Sequence, residues 1–186
     1  AELKRFLRVY PKYKDLDYIY YLLAVSYYEQ IVDEKKDLQS IINAKKYFEL
    51  VIKNYENTEY AIDSNFKLDY INDILASKEM YIGRYYISKK KWIPAINRFQ
   101  TVINNYETTM YTEEALHRLV EIHYRIGLKE EAQKYATLLG YNYQSSEWYK
   151  KSYVLFNKNY KENKKKILKN KAKEKSIIKK IKSLIN

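Results

Sequence analysis

The sequence predicts an all-α fold: a tetratricopeptide-like solenoid of helical hairpins, wound as a right-handed superhelix with one long linking helix. Three observations carry this expectation. A polar-aromatic punctuation mark recurs as Asn54-Tyr55-Glu56-Asn57-Thr58-Glu59-Tyr60, Asn105-Tyr106-Glu107-Thr108-Thr109-Met110-Tyr111 and Asn142-Tyr143-Gln144-Ser145-Ser146-Glu147-Trp148, with a weaker start at Val9-Tyr10-Pro11. Self-similarity at such spacing is the signature of a repeat array. Between successive marks the apolar residues follow a helical period, with room for two antiparallel helices. Only 3 Gly and 2 Pro occur in 186 residues, too few for the tight turns of a sandwich or barrel.

Helices are expected near 1–9, 16–32, 40–54, 59–88, 92–105, 111–126, 129–139 and 146–157. Each hairpin needs a small residue where its helices touch, with an aromatic beside it. In the tetratricopeptide unit of about 34 residues these positions have fixed offsets. The best copy spans about 76–109: Gly83, then Ala95, then Phe99 on the same helix face, then Glu107 in the turn. Val120, Ala132, Ala136 and Gln144 repeat the offsets, as do Ala44, Phe48 and Glu56. The first helix of that last copy carries Ala24 and Tyr27, with an insertion around Asp33–Gln39 in its turn. Leu3 and Pro11 keep the final offset, so residues 1–11 read as the second helix of a truncated repeat. The chain therefore opens in mid-helix, and a natural start upstream is expected, together with any targeting segment. No breaker interrupts Tyr60 to Ser88, which makes the fourth helix the spine linking two halves. Residues 1–157 form the expected solenoid, and 158–186 a Lys-rich extension, disordered or folded as a short amphipathic helix through Ile177, Ile178, Ile181, Leu184 and Ile185.

The net charge of +12 suggests a nucleic-acid partner until it is mapped. The last 29 residues hold 12 Lys and 2 Glu, which leaves the body 1–157 at only +2. A body so nearly neutral is no footprint for phosphate. Tyr, Lys, Ile and Asn share AT-rich codons, so a biased genome raises them together. There is no Cys, hence no disulfide framework and no thiolate chemistry. No apolar run approaches the ~20 residues that span a bilayer.

Catalytic and metal motifs are missing from the pattern. His117 and His123 are six apart and so lie on different helix faces. His117 with Glu121 has the i, i+4 spacing, but two residues make a poor metal site, and helix histidines of surface or partly buried kind are the simpler expectation. There is no Gly-rich phosphate loop and no HExxH. The reading is no enzyme, no catalytic residues, no metal and no cofactor. Tyrosine is the distinctive chemistry instead. In Tyr18-Ile19-Tyr20-Tyr21 and Tyr85-Tyr86 neighbouring rings diverge by about 100°, so at least one must leave the core. Tyr18, Tyr20 and Tyr21 are candidate peptide contacts, large rings with a polar tip, with core packing as the equal alternative.

The residues Glu79, Tyr85-Tyr86, Trp92, Ala95, Asn97-Arg98 and Asn105-Tyr106 resemble the BamD/ComL family. So do Leu139-Gly140-Tyr141-Asn142-Tyr143 with Ser146-Glu147-Trp148-Tyr149, and Phe6-Leu7-Arg8 through Pro11, Asp17-Tyr18 and Tyr20-Tyr21. The resemblance covers roughly 1–157. It implies a five-repeat lipoprotein at the periplasmic face of the outer membrane of a Gram-negative bacterium, anchored by a lipidated N-terminal Cys that this chain lacks. It further implies a non-enzymatic adaptor in β-barrel assembly. Its partners would be the POTRA domain of BamA, other Bam lipoproteins and targeting segments of unfolded outer-membrane proteins, with no nucleic acid. Arg98, with its neighbour Asn97, matches the family's basic docking position for the POTRA domain. Arg98 precedes the inward Phe99 and so points about 100° from the hairpin core, where a guanidinium can pair bidentately with a carboxylate. The family's turn Pro is replaced by Glu56, Glu107 and Gln144, and the Lys-rich tail is outside the family pattern. Two other readings stand beside this one: a generic cytoplasmic tetratricopeptide scaffold, and a nucleic-acid binder working through the tail.

Overall fold

The computed structural model describes residues 2–31 and 38–157. Among these residues all regular structure is helical: α1 Glu2–Val9, α2 Leu16–Tyr28, α3 Leu38–Asn54, α4 Glu59–Ser88, α5 Trp92–Asn105, α6 Thr112–Arg125, α7 Lys129–Asn142 and α8 Glu147–Phe156. The expected helices are present, with shifted ends. The second stops at Tyr28, and the third starts at Leu38, so the tail of the expected insertion, Leu38–Gln39, is already helical. The centre of that insertion and the extension 158–186 lie outside the described residues. The seventh helix runs on past Leu139 to Asn142, because Gly140 is a packing residue there and not a stop signal. No described helix is long and apolar enough to cross a membrane.

The described chain divides into two compact units, one ending at Thr112 and the other beginning at Glu113. In the first, α1 packs on α2, α2 on α3, α3 on α4 and α4 on α5. Its core gathers Ala24, Ile41, Ala44, Phe48, Ile71, Ile74 and Leu75. Ala24 and Ala44 are the small residues that let α2 and α3 close, and Phe48 fills the space beside them, fully buried. The α4–α5 hairpin repeats the device with Gly83, Ala95 and Phe99, all buried. In the second unit α7 packs on α8. α6 joins them through the rings of His123 and Tyr135, 5.3 Å apart, and through His117 and Trp148, 5.2 Å apart.

The three punctuation marks share one hydrogen-bond pattern. Tyr55, Tyr106 and Tyr143 each donate their N–H four residues back, to Val51, Val102 and Leu139 at 2.9, 3.0 and 2.9 Å. Three residues on, Thr58, Thr109 and Ser146 donate to those tyrosines' carbonyls at 3.1, 3.1 and 3.0 Å. Thr58 then caps α4, its Oγ1 accepting from Ala61 N, and Ser146 caps α8 by accepting from Trp148 N. Each such cap stabilises a helix start by about 1 kcal/mol. The turns hold by these hydrogen bonds without a proline, and Glu56, Glu107 and Gln144 sit exposed in them.

Two further turns end in a left-handed residue. After α6, Gly127 (φ 91°) donates to Tyr124 O and Leu128 to His123 O. After α4, Lys90 (φ 56°) donates to Ile87 O and Lys91 to Tyr86 O, the same paired bonds with a lysine at the left-handed position.

Candidate functional site

Arg98 stands on the second turn of α5, between the buried Ala95 and Phe99 on one side and the exposed Asn97 on the other. Its side chain is 42% exposed and pairs with Glu79 of α4, itself 19% exposed. Nη1 donates to both carboxylate oxygens, at 3.1 and 3.3 Å. The expected outward direction of Arg98 is therefore combined with an ion pair inside the hairpin. Sequence reasoning missed Glu79 as that partner. Its signals were its place in the same resembling stretch as Arg98 and its position one helical turn before Gly83, which seats Phe99, the neighbour of Arg98.

The candidate tyrosines of α2 meet the α3–α4 turn. Tyr18 packs on Tyr60 at 5.4 Å and keeps 42% of its surface exposed. Tyr20 faces Tyr55 at 6.2 Å and is half-buried. Tyr21 turns inward against Phe48 and Tyr60, and its hydroxyl donates to Asp63 at 2.6 Å. Burial, then the bond to Asp63, pushes its hydroxyl up to about 12. The hydrogen bond from Lys67, followed by that from Tyr21, holds the Asp63 carboxyl below its ordinary value. Of the three, Tyr18 presents the most surface to solvent.

α4 also carries an exposed apolar stripe that the sequence reading did not single out. Ile62, Phe66 and Tyr70 are 61, 71 and 49% exposed, and Tyr81 and Tyr85 continue along the helix at 69 and 52%. The i, i+4, i+8 spacing was legible in the sequence, but only burial distinguishes the outer stripe from the core face of Ala61, Ser64 and Ile71. Two shallow apolar grooves lie elsewhere, one lined by Leu3, Phe6, Val9 and Ile19, the other by Ala136, Gly140, Tyr149 and Phe156.

Both histidines are buried. His117 Nδ1 lies 2.8 Å from Ser152 Oγ, and its Nε2 lies 3.6 Å from Glu121. Burial holds the imidazole neutral and lowers its pKa to about 4, with Glu121 opposing and Arg118 and Lys151 assisting. Ser152 is fully buried, so this constellation joins α6 to α8 and offers no surface to a substrate. His123 Nδ1 donates to Leu119 O at 2.8 Å. Among the described residues no group of three or more His, Asp or Glu could hold a metal ion.

Comparison with known proteins adds a consistent picture. A family model described as YfiO, outer membrane lipoprotein, matches residues 1–138. The chain is 50% identical over 158 residues to the outer membrane protein assembly factor BamD of Rickettsia prowazekii, covering 85% of this chain and 62% of that protein. It is 43% identical over 159 residues to BamD of Caulobacter vibrioides, 86% of this chain and 52% of that one. A Neisseria meningitidis BamD is 27% identical over 156 residues, 78% of this chain and 58% of that protein. The chain thus spans little more than half the length of these relatives.

Proposed function

We propose a function on the basis of family: the chain belongs to the YfiO family of outer membrane lipoproteins. Its role is that of a non-enzymatic adaptor in outer-membrane protein assembly, at the periplasmic face of the outer membrane. It binds the POTRA domain of BamA through Arg98 and Asn97, other Bam lipoproteins, and targeting segments of unfolded barrel proteins near Tyr18, Tyr20 and Tyr21. The match of residues 1–138 to the family, with two relatives above 40% identity named as assembly factors, carries this reading. The part-exposed guanidinium of Arg98 supports the docking position, because a planar fork suits a partner carboxylate. The exposed ring of Tyr18 supports the peptide contact, since aromatic anchors give large contact area at low entropic cost. In this reading residues 1–157 are the tetratricopeptide-like repeat region, with the Lys-rich 158–186 outside it.

Calorimetric titration with the cognate POTRA domain tests the proposal. Saturable binding is expected, weakened roughly tenfold or more by Arg98→Glu, because charge reversal at a paired site repels the partner carboxylate. No heat of binding at high micromolar concentration overturns it.

A further inference from the structure

We propose that Glu79 is the positioning residue for Arg98: it grips the guanidinium by Nη1 and so presents the Nε–Nη2 edge to a carboxylate of the docking partner. The inference rests on the docking reading above and adds a residue to it.

Arg118 provides the pattern within the same chain. Its Nη1 donates to Glu121 at 2.6 Å, while Nε and Nη2 both donate to Glu114 Oε1 at 3.2 and 3.1 Å. One planar cation thus bridges two carboxylates, each on its own edge of the guanidinium. Arg98 shows the same arrangement half filled. Nη1 is taken by Glu79, at 3.1 and 3.3 Å, and Nε and Nη2 make no hydrogen bond among the described residues.

The burial of the pair is graded in the sense this role needs. Glu79, on α4, is the sheltered member at 19% exposure, and Arg98, on α5, is the presented one at 42%. A guanidinium is rigid and flat, so holding one of its nitrogens restricts the plane of the others. The ordering of a long side chain then happens on folding instead of on binding, which is how preorganisation raises affinity. The vacant edge carries two parallel N–H donors, a match for the two oxygens of a carboxylate. The second carboxylate is no obstacle, since Arg118 holds two at once. The occupant proposed for that edge is an Asp or Glu side chain of the docking partner, as Glu114 is for Arg118.

The test is calorimetric titration of the POTRA domain into the wild type, Glu79→Ala, Glu79→Asp, Arg98→Ala and the double Ala variant, with thermal unfolding of each followed in parallel. Glu79→Ala should weaken binding about fivefold, Glu79→Asp should restore part of the loss, and Glu79→Ala should add nothing once Arg98 is Ala. Unfolding midpoints close to wild type for the Glu79 variants separate positioning from general damage. If Arg98→Ala weakens binding but Glu79→Ala leaves it equal or tighter, the role of Glu79 is overturned while the docking site stands. If Glu79→Ala weakens binding equally in both backgrounds, Glu79 acts independently of Arg98 and the proposal is again overturned. If Arg98→Ala has no effect, the docking reading itself falls, and this inference with it.

Discussion

Gly83 and Phe99 occupy each other's space: a Cβ built on the glycine would lie 2.7 Å from Cε1 and Cζ of the ring and 3.2 Å from Cδ1. The aromatic is thereby laid directly on the backbone of α4. The second unit repeats the device, where a Cβ on Gly140 would lie 2.7 Å from Cε2 of Tyr149. Both glycines sit inside helices, where glycine costs up to about 1 kcal/mol relative to alanine. Close hairpin packing is what offsets that cost.

Gly83→Ala should therefore destabilise the first unit even though alanine is the better helix former. Overpacking costs of about 1–3 kcal/mol exceed the propensity gain of ~1 kcal/mol, because the contact is with a fully buried ring. Urea unfolding followed by circular dichroism reads the change. A higher midpoint for the variant would show that the ring simply moves aside.

Lys90→Gly should have the opposite sign. Lys90 and Gly127 terminate their helices with the same pair of hydrogen bonds, but only the glycine adopts positive φ without steric strain. A left-handed L-residue costs about 1–2 kcal/mol, partly offset by the greater freedom of glycine in the unfolded chain. A net gain of about 1 kcal/mol is expected in chemical denaturation, and a loss would mean that the lysine side chain holds the turn.

Ser64 is fully buried on α4, and its Oγ is without a hydrogen-bond partner among the described residues. Removing a hydroxyl left in that state should stabilise the protein, by about 1 kcal/mol for Ser64→Ala. The measurement is again the urea midpoint, and a fall in stability would imply that the hydroxyl is satisfied after all.

His117 gives the fold an acid sensitivity whose sign is fixed. Its folded pKa of about 4 lies below the ordinary 6.5, so between these values the unfolded chain binds the extra proton. The stabilisation is fully present above pH 6.5 and is lost as the pH falls towards 4, of the order of 3 kcal/mol across the whole window. Unfolding free energies at pH 7 and pH 5 should differ by about 2 kcal/mol in the wild type and by clearly less in His117→Gln. Equal pH dependence in the two proteins would place the effect on other groups.

Much of this architecture is readable from residue spacing, because hairpin packing imposes offsets that survive as sequence. Gly83, Ala95 and Phe99 announce their contact, and the Asn-Tyr marks announce their turns, since small residues and caps are chemically distinctive. Lys90 announces nothing: a left-handed residue that is not Gly or Asn is invisible without coordinates. The same holds for Tyr21 against Tyr18, three positions apart on α2, where only packing decides which ring turns inward. Glu79 and Arg98 are 19 residues apart on different helices, so no local pattern links them. The two histidines are more deeply buried than their spacing suggested, because Ser152 and the Leu119 carbonyl, one on another helix and one in the main chain, satisfy their ring nitrogens.

The unbroken course of α4 from Glu59 to Ser88 has a mechanical meaning. Tyr60, against which Tyr18 rests, stands near its beginning, and Glu79, which grips Arg98, stands 19 residues later. At about 1.5 Å of rise per residue that interval is roughly 28 Å of stiff rod. On the proposed reading, in which a peptide meets Tyr18 and a partner domain meets Arg98, one stiff helix would fix the distance between the two.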